Sequence, residues 1–400
     1  MVRLALDIVV SLSLENVRKP CGTFKMLDGA SFGSPLSVVA ERLLNGRMKR
    51  AVVDSCRSAF VIGAFSLPEH GSRGISEDLC ARLASAGWRM RIVSRHPSRI
   101  GRVLEMLWTC WRERHRYQVA AVDLYSGTAF FWAKAVCWML RQAGKPYILM
   151  LHGGNLPKFA AHRQGLVRSL LASAVAVTTP SHYLMEHMQP YRDDIQVLPN
   201  GISIRTYPYK LRRQGALRLI WLRAFHEVYN PEMAVQALAL LKQDFPDIHL
   251  TMIGPDKGDG SLQRTRQEAE RLCVIDHLTL LGSVRKEDVP EKLADGDIFL
   301  NTARIDNTPV SVLEAMASGL CVVSTSVGGI PYLVRAEYEA LLVPSDNAES
   351  MAEAVRRIII EPDLSRRLSY NARRKAEQLD WSVILPRWEK LLSSAIHSDG

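Results

Sequence analysis

The sequence predicts an α/β protein built from two doubly wound domains that face each other across a cleft. Three observations support this prediction. The chain has 400 residues, a length that favours two domains over one. From residue 59 onward, short apolar segments rich in β-branched residues alternate with longer segments of helical period. A polar, basic stretch without either period, residues 202–217, separates two sets of such segments.

The apolar segments predict the strands of two parallel sheets, because strands covered by helices on both faces show no polar alternation. In the first half the predicted strands are 59–65, 89–94, 119–125, 147–153, 174–180 and 194–201. In the second half they are 217–222, 248–254, 278–284, 297–303, 321–326 and 339–344. Paired domains of this kind bind ligands at the carboxyl ends of their strands, so we expect a ligand in the cleft.

We expect four parts along the chain. Residues 1–55 contain one possible helix but otherwise lack the alternation, and they are predicted to be an irregular extension. Residues 56–205 and 206–375 are predicted to form the two doubly wound domains. Residues 376–400 are predicted to form a C-terminal helix that starts near Pro386 and returns to the first domain.

Cysteine usage and hydropathy argue against several classes of protein. The seven cysteines are scattered and never spaced as CxxC, which argues against a disulfide framework or a zinc site and indicates a reducing compartment. The longest apolar stretch, 119–140, is interrupted by Asp123 and Lys134, so it falls short of a spanning helix. The first residues do not have the pattern of a secretory signal. We therefore expect a cytoplasmic protein, soluble or peripheral at the inner face of the membrane.

Positive charge is concentrated in the first half of the chain. Residues 1–200 contain 26 Lys and Arg against 14 Asp and Glu, a net of +12, whereas residues 201–400 contain 25 against 27, a net of −2. The segment 99–118 combines arginines with five apolar residues at helical spacing: Val103, Leu104, Leu107, Trp108 and Trp111. It is expected either to rest on an anionic membrane or to pack on the sheet with a solvated basic face. No aromatic-interleaved basic module accompanies the charge, which argues against nucleic acid as a partner.

Residues 306–331, DNTPVSVLEAMASGLCVVSTSVGGIP, contain the strongest functional signal. Thr308 followed by Pro309 predicts a helix that begins about Pro309 and is capped by the threonine hydroxyl. The amides of Val310 and Ser311 would then be unpaired at a helix N-terminus, an arrangement that binds phosphate.

Two carboxylates flank this predicted phosphate site. Glu314 lies just over one turn inside the helix, from where it can accept two hydrogen bonds from a vicinal diol such as a ribose. Asp306 lies just outside, within reach of a polar group beyond the phosphate. This order fits a nucleotide sugar. The alternative is that Thr308 and Pro309 only cap a helix and Glu314 is a surface charge, although its apolar neighbours would make an unpartnered carboxylate costly.

The same stretch resembles the C-terminal signature of the retaining GT-B glycosyltransferases of family 4. That signature has two acidic residues separated by seven others, then EAMA, a small residue, a glycine, a strand and a Gly-Gly turn. The resemblance extends to residues 180–188, 197–204 and 280–303, and it spans most of 59–395. It implies the GT-B fold and the transfer of a sugar, as in hexosyltransferases, from a nucleoside-diphosphate sugar to an acceptor hydroxyl with retention of configuration. It also implies a glycan, lipid-linked or small-molecule acceptor, no cofactor and no essential metal, and a role in polysaccharide or glycolipid assembly.

The resemblance assigns roles to individual residues. Glu314 matches the acid that holds the donor ribose, and Asp306 matches the first acid, usually Glu, which contacts the donor sugar and has been assigned a catalytic part. Arg223 matches the arginine that binds the donor diphosphate. The remaining matches are the phosphate-facing helix start at Thr308, Val310 and Ser311, the nucleobase-contacting loop at Val284, the glycine-rich loop at Gly71 and Gly74, and the donor-sugar position at His152.

The sequence departs from the family pattern at three places. Asp306 is one methylene shorter than the usual glutamate. Val228 and Tyr229 stand where the family has a lysine, five or six positions after Arg223. Tyr332 stands where a glutamate usually follows the proline of the Gly-Gly turn.

Other interpretations of these residues stay open. The alternative for His152 is a structural histidine with a fixed tautomer. The chain as a whole fits a nucleotide-sugar epimerase on the same architecture, which needs no acceptor surface. It also fits a non-catalytic nucleotide-sugar binder or scaffold, which the missing lysine and the shorter Asp306 would favour.

Overall fold

The structure is a computed structural model that describes residues 57–63, 74–93, 96, 98–212 and 217–397. The irregular extension predicted for residues 1–55 lies outside the described residues. Within the described part of the chain, none of the helices combines the length and apolar character needed to cross a membrane.

Six parallel strands form the first sheet, in the spatial order β2-β1-β3-β4-β5-β6. The strands are Ser58–Ile62 (β1), Arg89–Val93 (β2), Val119–Leu124 (β3), Tyr147–Leu151 (β4), Ala176–Thr179 (β5) and Gln196–Val197 (β6). The helices between and after them are Ile75–Ser85 (α1), Arg99–Arg112 (α2), Thr128–Gln142 (α3), Leu156–His162 (α4), Gln164–Ala172 (α5) and His182–Met188 (α6). Strands β1, β4 and β5 are buried at every position, as continuous apolar segments predict.

Six further parallel strands form the second sheet, in the order β12-β11-β10-β7-β8-β9. The strands are Arg218–Leu222 (β7), His249–Ile253 (β8), Leu278–Gly282 (β9), Ile298–Asn301 (β10), Cys321–Thr325 (β11) and Ala340–Val343 (β12). The helices are Pro231–Lys242 (α7), Ser261–Arg271 (α8), Val289–Ala294 (α9), Val310–Ala317 (α10), Ile330–Leu333 (α11), Ala348–Ile360 (α12), Pro362–Glu377 (α13) and Trp381–Ile396 (α14). Each of the twelve predicted strands overlaps an observed one, and the predicted α/β fold with two parallel sheets is confirmed.

In each sheet the strand order reverses once, and this reversal positions the site. The reversal lies between β1 and β3 in the first sheet and between β7 and β10 in the second. Loops that leave the strands on either side of such a point diverge and open a crevice at the carboxyl ends. Arg223 follows β7 and Asp306 lies in the loop after β10, so both line the crevice of the second sheet.

The last helix, α14, packs against the first sheet. Its side chains Trp381, Ile384 and Trp388 share one apolar cluster with Val61 and Leu83 of the first domain. The predicted start of this helix near Pro386 is wrong, because the helix begins at Trp381 and Pro386 lies inside it. Asp380 accounts for the earlier start, since its carboxylate accepts a hydrogen bond from the Ser382 amide at 2.8 Å and caps the first turn.

Candidate active site

The helix that follows β10 presents uncapped amides to the crevice. It begins at Val310 with Pro309 as its cap residue, one position later than predicted, and no side chain of Pro309 caps it. The predicted cap by Thr308 is therefore wrong, because that residue lies one position too early. The amides of Val310 and Ser311 have no partner within the helix. Among the described residues, the buried hydroxyl of Ser311 also has no hydrogen-bond partner.

Arg223 lies directly after β7 and contacts Asp306. Its Nη2 donates to Oδ2 of Asp306, and its guanidinium carbon lies 4.6 Å from the ring centre of Tyr229. Burial lowers the pKa of Arg223, but Asp306, Tyr229 and Glu314 together outweigh this effect and hold the pKa above its usual value. The buried Nε atom has no hydrogen-bond partner in the described part of the chain. A charged guanidinium with an unused N–H group is suited to bind an anion.

Glu314 faces inward from α10 and is only 6% exposed. Its Oε1 accepts a hydrogen bond from the Tyr207 hydroxyl at 2.8 Å. Burial raises the pKa of Glu314, while the hydrogen bond from Tyr207 and the positive charges of Lys286 and Arg223 act in the opposite direction. The alternative that Glu314 is a surface charge is therefore wrong.

An ion pair links the two domains near Glu314. Lys286, in the loop after β9, places Nζ 2.5 Å from Oδ2 of Asp78 in the first turn of α1. The two charges act on Glu314 in opposite directions, since Lys286 lowers and Asp78 raises the pKa of its carboxyl group. Val284 is partly buried two residues before Lys286, in the loop where the family resemblance expects the nucleobase.

The first domain contributes a histidine with a carboxylate partner. His152 follows β4, and its Nε2 lies 2.9 Å from Oδ1 of Asp123 at the end of β3. Asp123 also accepts a hydrogen bond from the Ser76 hydroxyl at 3.0 Å. The imidazole stacks on Tyr125 with 5.0 Å between ring centroids.

The predicted glycine-rich loop is only partly described. Gly71 lies outside the described residues. Gly74 immediately precedes α1, and its amide donates to the Glu77 side chain at 2.7 Å, so this N–H group is already used within the protein.

Glycines allow two loops to press against Asp306. Gly328, with φ of 51°, lies so close that a Cβ there would overlap the carbonyl oxygen of Asp306. A Cβ on Gly154 would lie 2.9 Å from the same oxygen. Because Gly154 is two residues after His152, the loop that carries the histidine touches the loop that carries Asp306.

The structure thus places Arg223, which the resemblance assigned, next to Asp306 and in the same crevice as Glu314 and the start of α10. The sequence did not predict four further residues that lie at or near the site: Asp78, Lys286, Asp123 and Ser76. Of these four residues, only Asp123 has a signal in the sequence, because it is a carboxylate inside an otherwise apolar strand. The described residues hold no group of three or more His, Cys, Asp or Glu side chains placed to bind a metal ion. The arrangement is suited to a ligand in which an anionic group stands next to hydroxyls.

Two family models match the chain. "Glycosyltransferase Family 4" matches residues 75–206, and "Glycosyl transferases group 1" matches residues 209–375. A D-inositol 3-phosphate glycosyltransferase from Pseudarthrobacter chlorophenolicus is 25% identical over 267 residues, which cover 63% of each chain. A human phosphatidylinositol N-acetylglucosaminyltransferase polypeptide is 28% identical over 168 residues, 42% of this chain and 34% of the human protein. The chain thus spans about a third to two thirds of the length of these relatives.

Solved structures show the same architecture. A sucrose-phosphate synthase from Thermosynechococcus elongatus superposes with a TM-score of 0.71 at 17% identity, covering 84% of this chain and 98% of that one. Anabaena HepE, in a structure with UDP-glucose, superposes with a TM-score of 0.66 at 18% identity, covering 84% of this chain and 99% of that one. The chain therefore belongs to the family 4 glycosyltransferases and has the GT-B fold.

Proposed function

We propose that the chain is a glycosyltransferase that moves a sugar, as in hexosyltransferases, from a nucleoside-diphosphate sugar to an acceptor hydroxyl with retention of configuration. One observation carries this proposal: the Arg223 Nε and the Ser311 hydroxyl lack partners, among the described residues, beside the uncapped start of α10. Together these groups would form an anion site, and Glu314 lies about one helical turn away, where a ribose diol would follow the phosphates. The UDP-glucose complex of HepE supports the choice of donor class.

In the proposed reaction, the bond between the anomeric carbon and the diphosphate oxygen breaks, and its electron pair goes to the diphosphate. The acceptor oxygen forms the new bond to the anomeric carbon, and its proton passes to an oxygen of the departing diphosphate. Negative charge therefore grows on the leaving diphosphate, where Arg223 and the amides of Val310 and Ser311 would stabilise it. Asp306 would hold Arg223 in place and contact the sugar. Because these groups supply positive charge and hydrogen bonds, we propose that no metal ion or cofactor is required.

The missing family lysine does not leave Arg223 unsupported. Tyr229, at one of the lysine positions, covers one face of the guanidinium. Lys286 supplies a second positive charge at the Glu314 end of the site. This arrangement weakens the argument for a non-catalytic binder, which depended on the loss of that lysine.

The test is a product assay with UDP, GDP and ADP sugars against a panel of glycan and lipid-linked acceptors. We expect one donor to give product, and Arg223→Ala to lower kcat/KM at least a hundredfold, because removal of one transition-state donor costs about 3 kcal/mol. The exposed Arg366→Ala serves as control. Isomerisation of the donor sugar without an acceptor would favour the epimerase, and specific binding without turnover would favour the binder.

We also propose that the first domain contacts an anionic membrane through α2. Met106 and Cys110 are buried on the inner face of this helix, as expected if it packs on the sheet. The membrane proposal concerns its outer face. Four exposed apolar residues lie along its outer face at a spacing of four, four and three: Ile100, Leu104, Trp108 and Trp111. Arg112 lies 5.9 Å from the Trp108 ring centre and Arg114 lies 4.4 Å from that of Trp111. Exposed tryptophan beside arginine is typical of helices that lie in the membrane interface. A lipid-linked acceptor would be reached from this side.

Vesicle sedimentation tests the membrane proposal. We expect the protein to bind vesicles containing phosphatidylglycerol more tightly than pure phosphatidylcholine vesicles, and added salt to weaken that binding. The double variant Trp108→Ser and Trp111→Ser should lose at least tenfold in affinity, whereas Tyr370→Ser, at an exposed aromatic of the second domain, should not. Equal binding of both variants, or no binding of the wild type, would exclude this surface.

A further inference from the structure

Asp123 is a buried carboxylate at the carboxyl end of β3, in a strand that is otherwise apolar. Its side chain is 7% exposed, and that of His152 is 13% exposed. A carboxylate in such a place is costly unless donors satisfy its oxygens. Here the donors are the His152 Nε2 at 2.9 Å and the Ser76 hydroxyl at 3.0 Å. The absence of a side chain at Gly63 leaves room for the carboxylate, since a Cβ there would overlap it.

This contact determines where the imidazole carries its proton. An ionised carboxylate only accepts hydrogen bonds, so the His152 Nε2 that faces Asp123 must be the protonated nitrogen. In the neutral ring the Nδ1 lone pair is then available as an acceptor. Tyr125 covers one face of the ring, with planes 20° apart, and restricts its rotation. Among the described residues, Nδ1 has no hydrogen-bond partner.

The histidine stands beside the Asp306 end of the cleft. The loop after His152 reaches Asp306 at Gly154, where a Cβ would lie 2.9 Å from the Asp306 carbonyl oxygen. The proposed function puts the transferred sugar at this end, because Glu314 and the start of α10 take the ribose and the phosphates.

We infer that Asp123 is a positioning residue: it fixes His152 in the Nε2–H tautomer, so that Nδ1 accepts a hydrogen bond from a hydroxyl group of the donor sugar. Ser76 supports this role by holding the carboxylate. The identity of the ligand rests on the proposed function, whereas the tautomer is a property of the protein alone.

The tautomer is measured by long-range ¹H–¹⁵N spectroscopy of protein labelled with ¹⁵N-histidine, at a pH of about 8.5, where an ordinary imidazole is neutral. The signals of His152, one of 11 histidines, are assigned with His152→Gln. We expect a protonated Nε2 and an unprotonated Nδ1 in the wild type. In Asp123→Ala we expect the two nitrogens to move towards averaged values. A protonated Nδ1 in the wild type would overturn the inference.

Kinetics supply the second readout. With the donor found in the product assay, Asp123→Ala should lower kcat/KM at least tenfold, because His152 then no longer presents a fixed acceptor. Asp123→Asn retains a carbonyl oxygen that accepts from Nε2, so it should restore most of the activity and most of the wild-type tautomer. If Asp123→Ala does not fold, Ser76→Ala replaces it, with an expected loss of about threefold. The exposed Asp193→Asn is the control.

The two proposals can fail separately. Absence of any turnover by wild-type protein would sink the proposed function, and the tautomer would still test the role of Asp123 in holding His152. Normal turnover by a folded Asp123→Ala variant with unchanged His152 signals would overturn the positioning role and leave the proposed function intact.

Discussion

We expect the buried carboxylate of Glu314 to lower the stability of the folded protein at neutral pH, and the proposed ligand to offset that loss. Its carboxylate is buried on α10, and burial raises the pKa of the group above its value in the unfolded chain. The folded state therefore binds the Glu314 proton more tightly than the unfolded state does. The stabilisation that this tighter proton binding provides is fully present below the pKa of Glu314 in the unfolded chain. It is lost as pH rises through the pKa of Glu314 in the folded protein.

Replacement of Glu314 by glutamine should accordingly stabilise the empty protein. The amide oxygen can still accept the hydrogen bond from Tyr207, but no charge has to be buried. We expect Glu314→Gln to raise the Tm at pH 7 by roughly 1–3 °C, and the gain to shrink as pH falls towards 4. Thermal unfolding across this pH range measures it, with the exposed Glu270→Gln as control. An unchanged or lower Tm at pH 7 would mean that the charge of Glu314 is already compensated in the empty protein.

Among single site residues, the sequence predicted those that share one segment or directly follow a strand. Glu314 and Asp306 are eight positions apart, and their spacing on a helix start is a local property. The pairs Asp78 with Lys286 and Asp123 with His152 are not local, because they meet only when loops of different strands converge. Predicting such pairs requires knowledge of the strand order, and apolar periodicity does not supply it.

The start of α10 and the Gly-Gly turn form one packed unit. The Gly329 amide donates to the Asp306 carbonyl at 3.2 Å, and Gly328 lies directly against the same oxygen. The turn therefore holds the loop that places Asp306 opposite Arg223.

Substitution of Gly328 by alanine should disrupt this unit. The new Cβ would both strain the positive φ of 51° and overlap the Asp306 carbonyl. The matched control is Gly258→Ala, because Gly258 also has a positive φ, 75°, but a Cβ there would meet no described atom within 4 Å. We expect Gly258→Ala to cost about 1 kcal/mol in the free energy of unfolding and Gly328→Ala at least about 2 kcal/mol more. Denaturant unfolding measures both, and equal losses would contradict the packing described here.

Elements were predicted with different success for physical reasons. Strands of a parallel sheet are short apolar segments, so each of the twelve overlaps a strand predicted from the alternation of such segments with stretches of helical period. Helix starts depend on single caps. Helix α10 starts one residue later than predicted, because Pro309 itself is the cap residue. Helix α14 starts before Pro386, because Asp380 caps it.

Across the whole molecule, two hydrogen bonds from the first domain reach the loop that carries Asp306. The Ser181 hydroxyl donates to the Asn307 side chain, and the Asn200 amide donates to the Thr308 carbonyl at 3.2 Å. Tyr332, which stands in place of the usual family glutamate, donates to Glu186 of α6 at 2.7 Å. The fold was predictable from the alternation of strands and helices. These contacts were not, because they join residues more than 100 positions apart and only the three-dimensional structure shows which of them meet.

We propose above that this cleft binds a nucleoside-diphosphate sugar through α10. Isothermal titration calorimetry of the wild type and Glu314→Ala against UDP, GDP and ADP sugars measures this binding. We predict that one nucleotide sugar binds the wild type, and that Glu314→Ala weakens this binding at least tenfold, because a diol loses two hydrogen bonds to the carboxylate, each worth about 1 kcal/mol or more. Absence of binding to folded wild-type protein, or equal affinity in Glu314→Ala, would show that α10 does not hold a nucleoside-diphosphate sugar.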